Sequence, residues 1–475
     1  MIGNKNIFVL TLWLIIILIS ACADNNAAAP ENDAYFPEET TDTNPEKILL
    51  NEYNITPNGV NGIEINPESG DVYDLSVIKV IDSYDSITGE SFKLICGECT
   101  PESEITIEGD NITRVTDFSG RSRFFIPVYF KRNFECEIII TAKNESVPEQ
   151  SVTLKLTPID NITMSTFTMG KNNFIHWPDI SNYLCDNYLN DRSLANIYTG
   201  LESRYNRIRD ATGKDTKLFI LLAPDPLVMY EESASDKLAN MRRNSIENYN
   251  RRSRSEIDPD TEIYTAMNQI SDYINSRNPD FTLVDMTPIL RNLKSQETYP
   301  RLYHTTDNHW SNLGAYYGYY ELMNFVCETS GIAATKPLEL SDFDIVDERL
   351  SYNIQAGLQD PASENIYEVV DRLIPKTARK AKLTSGQILN DGKFWSDVRD
   401  KMSFTTGNDK LPTAVFLRDS FTTALYPMLN EHFNNTYYSD TWDYSLDYEW
   451  LAEVKPDYVF IIAVERLVMS ALSQR

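Results

Sequence analysis

The chain has 475 residues and a formal net charge of −27, with 43 Lys and Arg against 70 Asp and Glu. Such an acidic surface repels phosphate backbones, which argues against nucleic acid as a partner. Acidity does not identify a substrate, because a solvated acidic surface chiefly keeps a protein soluble and apart from its neighbours. The length is sufficient for two or three domains.

The N-terminus reads as a bacterial export signal over residues 1–21. It has one positive charge at Lys5 and an apolar run from residue 7 to residue 19, too short for a comfortable membrane-spanning helix. Residues 19–22 also match a lipoprotein processing box, which predicts that Cys22 is acylated and anchors the mature chain to the membrane through its lipid. The alternative is an uncleaved membrane anchor. Both interpretations place the remaining chain outside the cytoplasm.

Two segments of different composition follow the signal. Residues 22–47 consist largely of Ala, Asn, Asp, Glu, Thr and Pro, which predicts a disordered tether. Residues 48–160 contain short apolar or alternating runs separated by Gly, Asn, Pro and Ser, a pattern typical of antiparallel strands. We therefore predict a small all-β, immunoglobulin-like sandwich for residues 48–160.

The cysteines do not form a dense disulfide framework. Five remain after Cys22, an odd number. Cys96 and Cys99 form a CxxC motif that fits a small disulfide loop, and a single CxxC is weak evidence for zinc. We favour structural cysteines, either unpaired or locally paired. The five are Cys96, Cys99, Cys136, Cys185 and Cys327.

Residues 161–475 have the alternating pattern of an α/β domain. Continuous apolar runs predict buried parallel strands at 217–223, 281–285, 413–417 and 458–464, and helical patterns cover 193–212, 258–276 and 311–327. These lengths imply a mainly parallel sheet with helices on both faces, whose ligands collect at the carboxyl ends of the strands. One interpretation of residues 334–409, with polar loops and a helical pattern at 385–401, is an insertion that borders the cleft.

Ser420 lies immediately beyond one of these predicted strands. The order strand, Arg418, Asp419, Ser420 and then a helical pattern exposes a serine hydroxyl near helix N-terminal amides that can receive an oxyanion. The segment alone does not separate a nucleophile from a serine that caps the helix.

An acid and an imidazole lie about a hundred residues earlier, at Asp307 and His309, before a predicted helix. Asp307 can project to the same side as His309 in an extended segment and hold its tautomer. The chain has only four histidines, so His309 is one of few available bases. One alternative is a surface turn in which Trp310 packs as an aromatic anchor. The other is a metal site formed by Asp307, His309 and His304, for which the sequence offers no distal Asp or His cluster to complete the ligand set.

Two short segments, one around His309 and one around Ser420, resemble motifs of known families. Asp307-Asn308-His309-Trp310 is similar to the signature of the bacterial DHHW family, with Asn308 where the second position has histidine. The related periplasmic alginate O-acetyltransferases share the Asp-x-His-Trp form. Residues 418–421 resemble the Gly-Asp-Ser nucleophile block of SGNH hydrolases, with Arg418 in place of glycine. The acid and histidine precede the serine here, as they do in the DHHW and alginate proteins.

The resemblance implies an SGNH-like domain over residues 161–475 and a membrane O-acyltransferase partner that supplies acyl groups. Our leading hypothesis is O-acetylation of an extracellular or cell-surface polysaccharide. Ser420 would be the nucleophile, His309 the general base and acid, and Asp307 the orienting carboxylate. Backbone N–H groups near Ser420 would form the oxyanion hole.

Three further residues are candidates for contacts with the substrate: Trp310, Arg418 and Asp419. This chemistry requires no cofactor and no metal. The alternatives are a glycan-binding scaffold lipoprotein with a silent triad, and a carbohydrate O-acetylesterase that shares the acyl-enzyme.

Overall fold

A computed structural model describes most of the chain beyond residue 74. The predicted signal, Cys22, the tether and residues 48–74 lie outside the described residues. In the part that is described, no helix combines the length and apolar character needed to cross a bilayer. The described residues are 75–85, 90–100, 103–110, 112–115, 123–130, 136–145, 147–156, 163–165, 168–171, 174–176, 180–185, 187–253, 257–258, 263–297, 301–329, 336–350, 368–386, 401–440 and 442–474.

The first third of the described chain consists of β-strands. A five-stranded sheet has the order β4-β5-β2-β1-β8, and a three-stranded sheet has the order β3-β6-β7. Apolar side chains of the two sheets, among them Ile95, Phe124 and Ile138, form one buried cluster. The immunoglobulin-like domain over 48–160 stays a prediction. The strands are β1 (Ser76–Asp85), β2 (Glu90–Glu98), β3 (Glu104–Gly109), β4 (Ile112–Val115), β5 (Arg123–Phe130), β6 (Cys136–Asn144), β7 (Val147–Leu156) and β8 (Thr163–Ser165).

In the described part of the chain, the five cysteines beyond Cys22 form no disulfide bonds. Cys96 and Cys99 are both buried but do not form the small disulfide loop that their spacing permits. Burial raises the pKa of the Cys99 thiol to about 12, which keeps it protonated and unreactive.

The remaining strands build a mixed seven-stranded sheet of order β12-β11-β19-β17-β18-β16-β15. The first five of these strands are parallel, β16 pairs antiparallel with β18 and β15 pairs antiparallel with β16, so the predicted mainly parallel sheet is confirmed. Two-stranded sheets pair β9 with β10 and β13 with β14. The strands are β9 (Thr168–Met169), β10 (Ile175–His176), β11 (Lys217–Ala223), β12 (Thr282–Asp285), β13 (Phe343–Leu350), β14 (Glu368–Pro375), β15 (Lys382–Ser385), β16 (Met402–Thr405), β17 (Thr413–Arg418), β18 (Asn435–Tyr438) and β19 (Tyr458–Val464).

Helices cover both faces of this sheet, as predicted. On one face the rings of Phe219, Phe460 and Phe416 stack across neighbouring strands, with 4.5 Å between the centroids of Phe416 and Phe460, and α6 covers them. The other face packs α1, α4, α8 and α9 against aliphatic side chains such as Ile220 and Ile461. The helices are α1 (Asp191–Thr212), α2 (Pro226–Met229), α3 (Asp236–Ser253), α4 (Ala266–Asn275), α5 (Thr287–Lys294), α6 (Asn312–Thr329), α7 (Tyr426–Leu429), α8 (Tyr448–Val454) and α9 (Val468–Ser473).

Three details differ from the sequence expectations. Helix α4 begins at Ala266 rather than at residue 258, because Thr265 is extended and forms a capping box with Asn268. Helix α3 was not predicted, because its residues are strongly polar and show little apolar periodicity. Residues 334–409 include β15 and β16, two strands of the main sheet itself, and the helical pattern at 385–401 lies mostly outside the described residues.

Helix α6 approaches the preceding loop at two glycines. A Cβ atom on Gly314 would collide with the backbone carbonyl oxygen of Leu302, and one on Gly318 would lie 2.8 Å from the Trp310 ring. Only glycine allows the helix to lie so close to the loop that carries His309. These two positions therefore set the distance between α6 and the candidate site.

Gly314→Ala is expected to destabilise the fold by about 1–3 kcal/mol, because the collision is with backbone that cannot rotate away. Gly200→Ala is the matched control: Gly200 lies in α1 with nothing within 4 Å of an added Cβ. This control should gain roughly 0.5–1 kcal/mol from helix propensity. Urea unfolding measures both values. A stable Gly314→Ala variant would contradict the close approach.

Candidate active site

Ser420 lies at the carboxyl end of β17, where the strand turns into a 3-10 helix. Asp419 is the N-cap of this turn, and its Oδ1 accepts the N–H of Phe421 at 2.9 Å. Asp419 Oδ2 accepts two further hydrogen bonds, from the N–H of Val464 at 2.6 Å and from the Tyr444 hydroxyl at 3.0 Å. The cap is therefore Asp419, and the alternative in which Ser420 caps the helix is wrong.

Residues 301–311 form the loop that carries the acid and the imidazole. Its two sides meet through a bridge between Tyr303 and Trp310, and the N–H of His304 donates to the carbonyl of His309 at 3.1 Å. Ser311 ends the loop, and its hydroxyl accepts the N–H of Gly314 in the first turn of α6 at 3.2 Å. The short span from Asp307 to His309 is therefore held at the start of the helix.

The acid, the imidazole and the hydroxyl meet in space. His309 Nε2 is 2.7 Å from Ser420 Oγ, and His309 Nδ1 is 2.5 Å from Asp307 Oδ1. The same carboxylate oxygen accepts the backbone N–H of His309 at 2.9 Å. Ser420, His309 and Asp307 are 5%, 6% and 4% exposed, so the charged form of the acid depends on these partners rather than on water. This is the geometry of an activated serine.

The electrostatics of Asp307 suit an orienting carboxylate. Burial by itself would raise the pKa of Asp307, but the adjacent His309, with a smaller contribution from His304, outweighs burial and holds that pKa below its ordinary value. An ionised Asp307 favours the tautomer of His309 with its proton on Nδ1. Nε2 is then free to accept the proton of Ser420.

A tryptophan joins the two halves of the site. Trp310 Nε1 donates to the carbonyl oxygen of Phe421 at 2.8 Å, so the residue after His309 is bound to the residue after Ser420. The Phe421 ring lies with its centroid 5.0 Å from that of His309 and 5.2 Å from that of Trp310. These contacts fix the imidazole relative to the serine.

Three residues predicted to contact substrate are instead buried behind the site. Trp310 is 1% exposed, and Arg418 and Asp419 are fully buried. Trp310 and Asp419 hydrogen bond to backbone groups, and the Arg418 guanidinium lies 5.7 Å from the centre of the Tyr426 ring. The prediction that these three bind substrate is corrected: they support the turn and the loop from inside the protein.

Polar residues that sequence reasoning missed extend the chain of contacts. In the amide orientation that satisfies its neighbours, Asn308 donates to Asp307 Oδ1 at 2.9 Å and accepts from Arg466 Nη2 at 3.1 Å. Arg466 also donates from Nη1 to Asp225. Asp225 follows β11 and Arg466 follows β19, so both lie at the carboxyl edge of the sheet. The sequence could have indicated Asp225 and Arg466, because each lies just after an apolar strand.

Glu465 is a third acid at this edge. Its Oε2 accepts the backbone N–H of Asp225 at 2.9 Å, and it is 4% exposed. Burial, with the nearby Asp225 charge, raises the pKa of Glu465 to about 8. Glu465 is therefore mainly protonated at neutral pH, while Asp225 is paired with Arg466.

The β13–β14 hairpin supports the loop from the side. Glu368 Oε2 accepts the N–H and the hydroxyl of Thr305, each at 2.8 Å, and Glu368 Oε1 lies 3.1 Å from His304 Nδ1. Burial would lower the pKa of His304, but Glu368 outweighs it and the pKa is raised. His304 is thus turned to Glu368 rather than grouped with Asp307 and His309 as a set of metal ligands.

The raised pKa of Glu465 predicts a pH-dependent stability. The folded chain holds a proton that the unfolded chain releases above its ordinary value of 4.5, so stability is lost as the pH rises from that value through about 8. Glu465→Gln should flatten this decline in the urea midpoint, and the exposed Glu247→Gln should not. An equally steep decline in Glu465→Gln would contradict the protonated carboxyl.

The chain was compared with protein-family models, curated proteins and solved structures. No protein-family model matches the chain, and no curated protein matches it. Solved structures that it is similar to include PatB1 from Bacillus cereus, with a TM-score of 0.43 and 16% identity over 60% of this chain and 92% of that one. A DHHW family protein from Eubacterium siraeum has a TM-score of 0.39 and 15% identity over 72% of this chain and 93% of that one. The O-acetyltransferase domain of Pseudomonas putida AlgJ has a TM-score of 0.37 and 14% identity over 65% of this chain and 93% of that one.

Proposed function

We propose that the chain is an extracytoplasmic acyltransferase that places acetyl groups on hydroxyls of a cell-surface or extracellular polysaccharide. The observation that carries this proposal is the continuous contact of Ser420 Oγ, His309 Nε2, His309 Nδ1 and Asp307 Oδ1, at 2.7 and 2.5 Å. A serine in this arrangement forms acyl-enzymes, which can pass the acyl group to a second hydroxyl.

The reaction proceeds in two balanced halves. Ser420 Oγ attacks the acyl carbonyl carbon of a donor ester or thioester, and His309 Nε2 takes the hydroxyl proton. His309 returns that proton to the leaving oxygen or sulfur as the bond to the donor breaks, which leaves acyl-Ser420. A glycan hydroxyl then attacks the acyl-serine with His309 as base, and Ser420 Oγ leaves with the proton. Asp307 stays ionised throughout and stabilises the imidazolium.

We propose the backbone N–H of Ser420 as the oxyanion donor at this turn. The N–H of Phe421 already donates to Asp419 Oδ1, and the N–H of Thr422 donates to the carbonyl of Asp419 at 3.3 Å. The expectation that backbone N–H groups near Ser420 form the oxyanion hole stays a prediction. A developing oxyanion needs a fixed dipole, and the turn fixed by Asp419 provides it.

The setting of the reaction follows from the N-terminal sequence. Acylation of Cys22 and the 22–47 tether would hold the domain at the outer side of the membrane. The acyl donor would come from a membrane O-acyltransferase partner, because activated acyl groups are made in the cytoplasm. The chemistry at Ser420 needs no cofactor.

Ser420→Ala should lower hydrolysis of p-nitrophenyl acetate by at least roughly 10³-fold, because the nucleophile is removed. The matched control is Ser276→Ala, an exposed serine at the end of α4, which should keep full activity. Circular dichroism checks that both variants fold. Survival of hydrolysis in Ser420→Ala would show that the nucleophile is another residue.

The same assay separates the alternative functions. With an oligosaccharide acceptor present, acetylated glycan identifies a transferase, and acetate as the sole product identifies an esterase. Failure of Ser420 to react with a fluorophosphonate would identify a silent triad.

Arg466→Gln should lower the rate by roughly tenfold, because Asn308 loses the partner that orients its amide toward Asp307. The variant also loses the ion pair with Asp225 and should be less stable, so kinetics are measured where circular dichroism shows it to be folded. The expected loss is in kcat rather than KM, since Arg466 acts through the triad acid. Arg207→Gln, on the far side of the domain in α1, is the control. An unchanged kcat in Arg466→Gln would show that Asn308 does not hold Asp307.

A further inference from the structure

An exposed tryptophan occupies an unfavourable backbone conformation in the loop after β18. Trp442 is 53% exposed, and its φ of 68° lies in the left-handed region. A bulky aromatic residue is a genuine outlier there, and glycine would adopt the same conformation without strain. Such strain is retained where the surrounding structure enforces it, and it concentrates at functional sites.

The surrounding structure ties Trp442 to the strand that carries the nucleophile. The N–H of Trp442 donates to the carbonyl of Arg418 at 2.9 Å, two residues before Ser420. Earlier in the same loop, the N–H of Ser439 donates to the carbonyl of Phe416 at 2.9 Å. Later in the loop, the Tyr444 hydroxyl donates to Asp419. Ser439, Trp442 and Tyr444 are thus held along the end of β17.

This anchoring places the backbone of Trp442 at the carboxyl edge of the sheet, where ligands of parallel sheets bind. β18 is parallel to β17, so the loop leaves β18 at the same carboxyl edge as Ser420. Trp310, the tryptophan of the sequence motif, is buried and has no free ring face. Trp442 offers in its place an exposed aromatic side chain, and its backbone is hydrogen bonded to the strand that precedes Ser420.

We propose that Trp442 is the stacking platform for a neutral pyranose of the glycan acceptor, an assignment that rests on the proposed function. The apolar C–H face of a pyranose packs on an indole, while the rim hydroxyls stay in water or bond to polar neighbours. Asp440 and Asp443 flank Trp442, and Asp443 accepts from the N–H and hydroxyl of Ser445 at 2.9 and 2.5 Å. Two aspartates this near Trp442 in sequence, on a chain of net charge −27, disfavour uronate sugars.

The test is calorimetric titration of the full folded chain with hexasaccharides of known charge. Cellohexaose, mannohexaose and xylohexaose are the neutral probes, and hexamannuronate is the anionic one. At least one neutral probe should bind, and hexamannuronate should bind more weakly than that probe. Trp442→Ala and Trp442→Gly should weaken binding by roughly tenfold or more, and Trp442→Phe should retain most of it.

Stability separates a binding role from a structural one. Glycine fits a φ of 68°, so Trp442→Gly should keep or raise the melting temperature while affinity falls. Ile139→Ala is the control, an apolar residue of 44% exposure in β6, and it should leave affinity unchanged. A melting temperature that falls together with affinity would assign Trp442 a structural role and overturn the proposal.

Three binding results would also overturn it: no binding of any neutral probe, tighter binding of hexamannuronate, or full affinity in Trp442→Gly. The assay needs no turnover, so its outcome is independent of the triad. Binding that depends on Trp442 together with an inert Ser420 would retain the platform and refute acyl transfer. A reactive Ser420 with unchanged binding in Trp442→Gly would support acyl transfer and refute the platform.

Discussion

The hydrogen bond from Trp310 Nε1 to the carbonyl of Phe421 is the interaction on which the site depends. It joins a loop before α6 to a turn after β17, two segments 111 residues apart. Both partners are buried, so loss of the bond would leave a polar group without water at a cost of about 1–3 kcal/mol. Because Trp310 follows His309 and Phe421 follows Ser420, the bond sets the distance between imidazole and hydroxyl directly.

Each partner of this bond is supported by its own set of contacts. The turn is held by Asp419, whose two oxygens receive N–H groups from Phe421 and from Val464 on the neighbouring strand β19. Burial raises the pKa of Asp419, and these donors oppose that effect by favouring the charged form. The loop is held by the close approach of α6 at Gly314 and by Glu368 of the β13–β14 hairpin. The reactive atoms therefore lie on a preorganised scaffold.

The carboxyl edge of the sheet also holds buried acids whose negative charges need compensation. Asp225, Asp307 and Glu465 are all buried, and Asp225 and Glu465 are in contact, so their negative charges would be costly without compensation. Arg466 neutralises Asp225 and reaches Asp307 through Asn308, while Glu465 keeps its proton. Asp307 is also stabilised by its hydrogen bond with His309 Nδ1. The asparagine that departs from the DHHW signature thus has a physical role, because its amide bridges a carboxylate and a guanidinium.

Local pattern was sufficient to predict the elements and to nominate the reactive residues. Apolar runs of strand length gave β11 and β19 with their observed ends, and strand-to-helix punctuation singled out Ser420. The pairing of Asp307 with His309 followed from their spacing of two residues. These features depend on neighbours in the chain, which is why sequence determined them.

Only the tertiary structure decided which side chains face a substrate. Trp310, Arg418 and Asp419 lie beside the triad in sequence but point into the core, since strand and turn direct them behind the site. Arg466 and Trp442 are distant in sequence and reach the carboxyl edge through the order of the strands. Packing and strand order are non-local, so the contact of His309 with Ser420 and the exposure of Trp442 could not be read from local pattern.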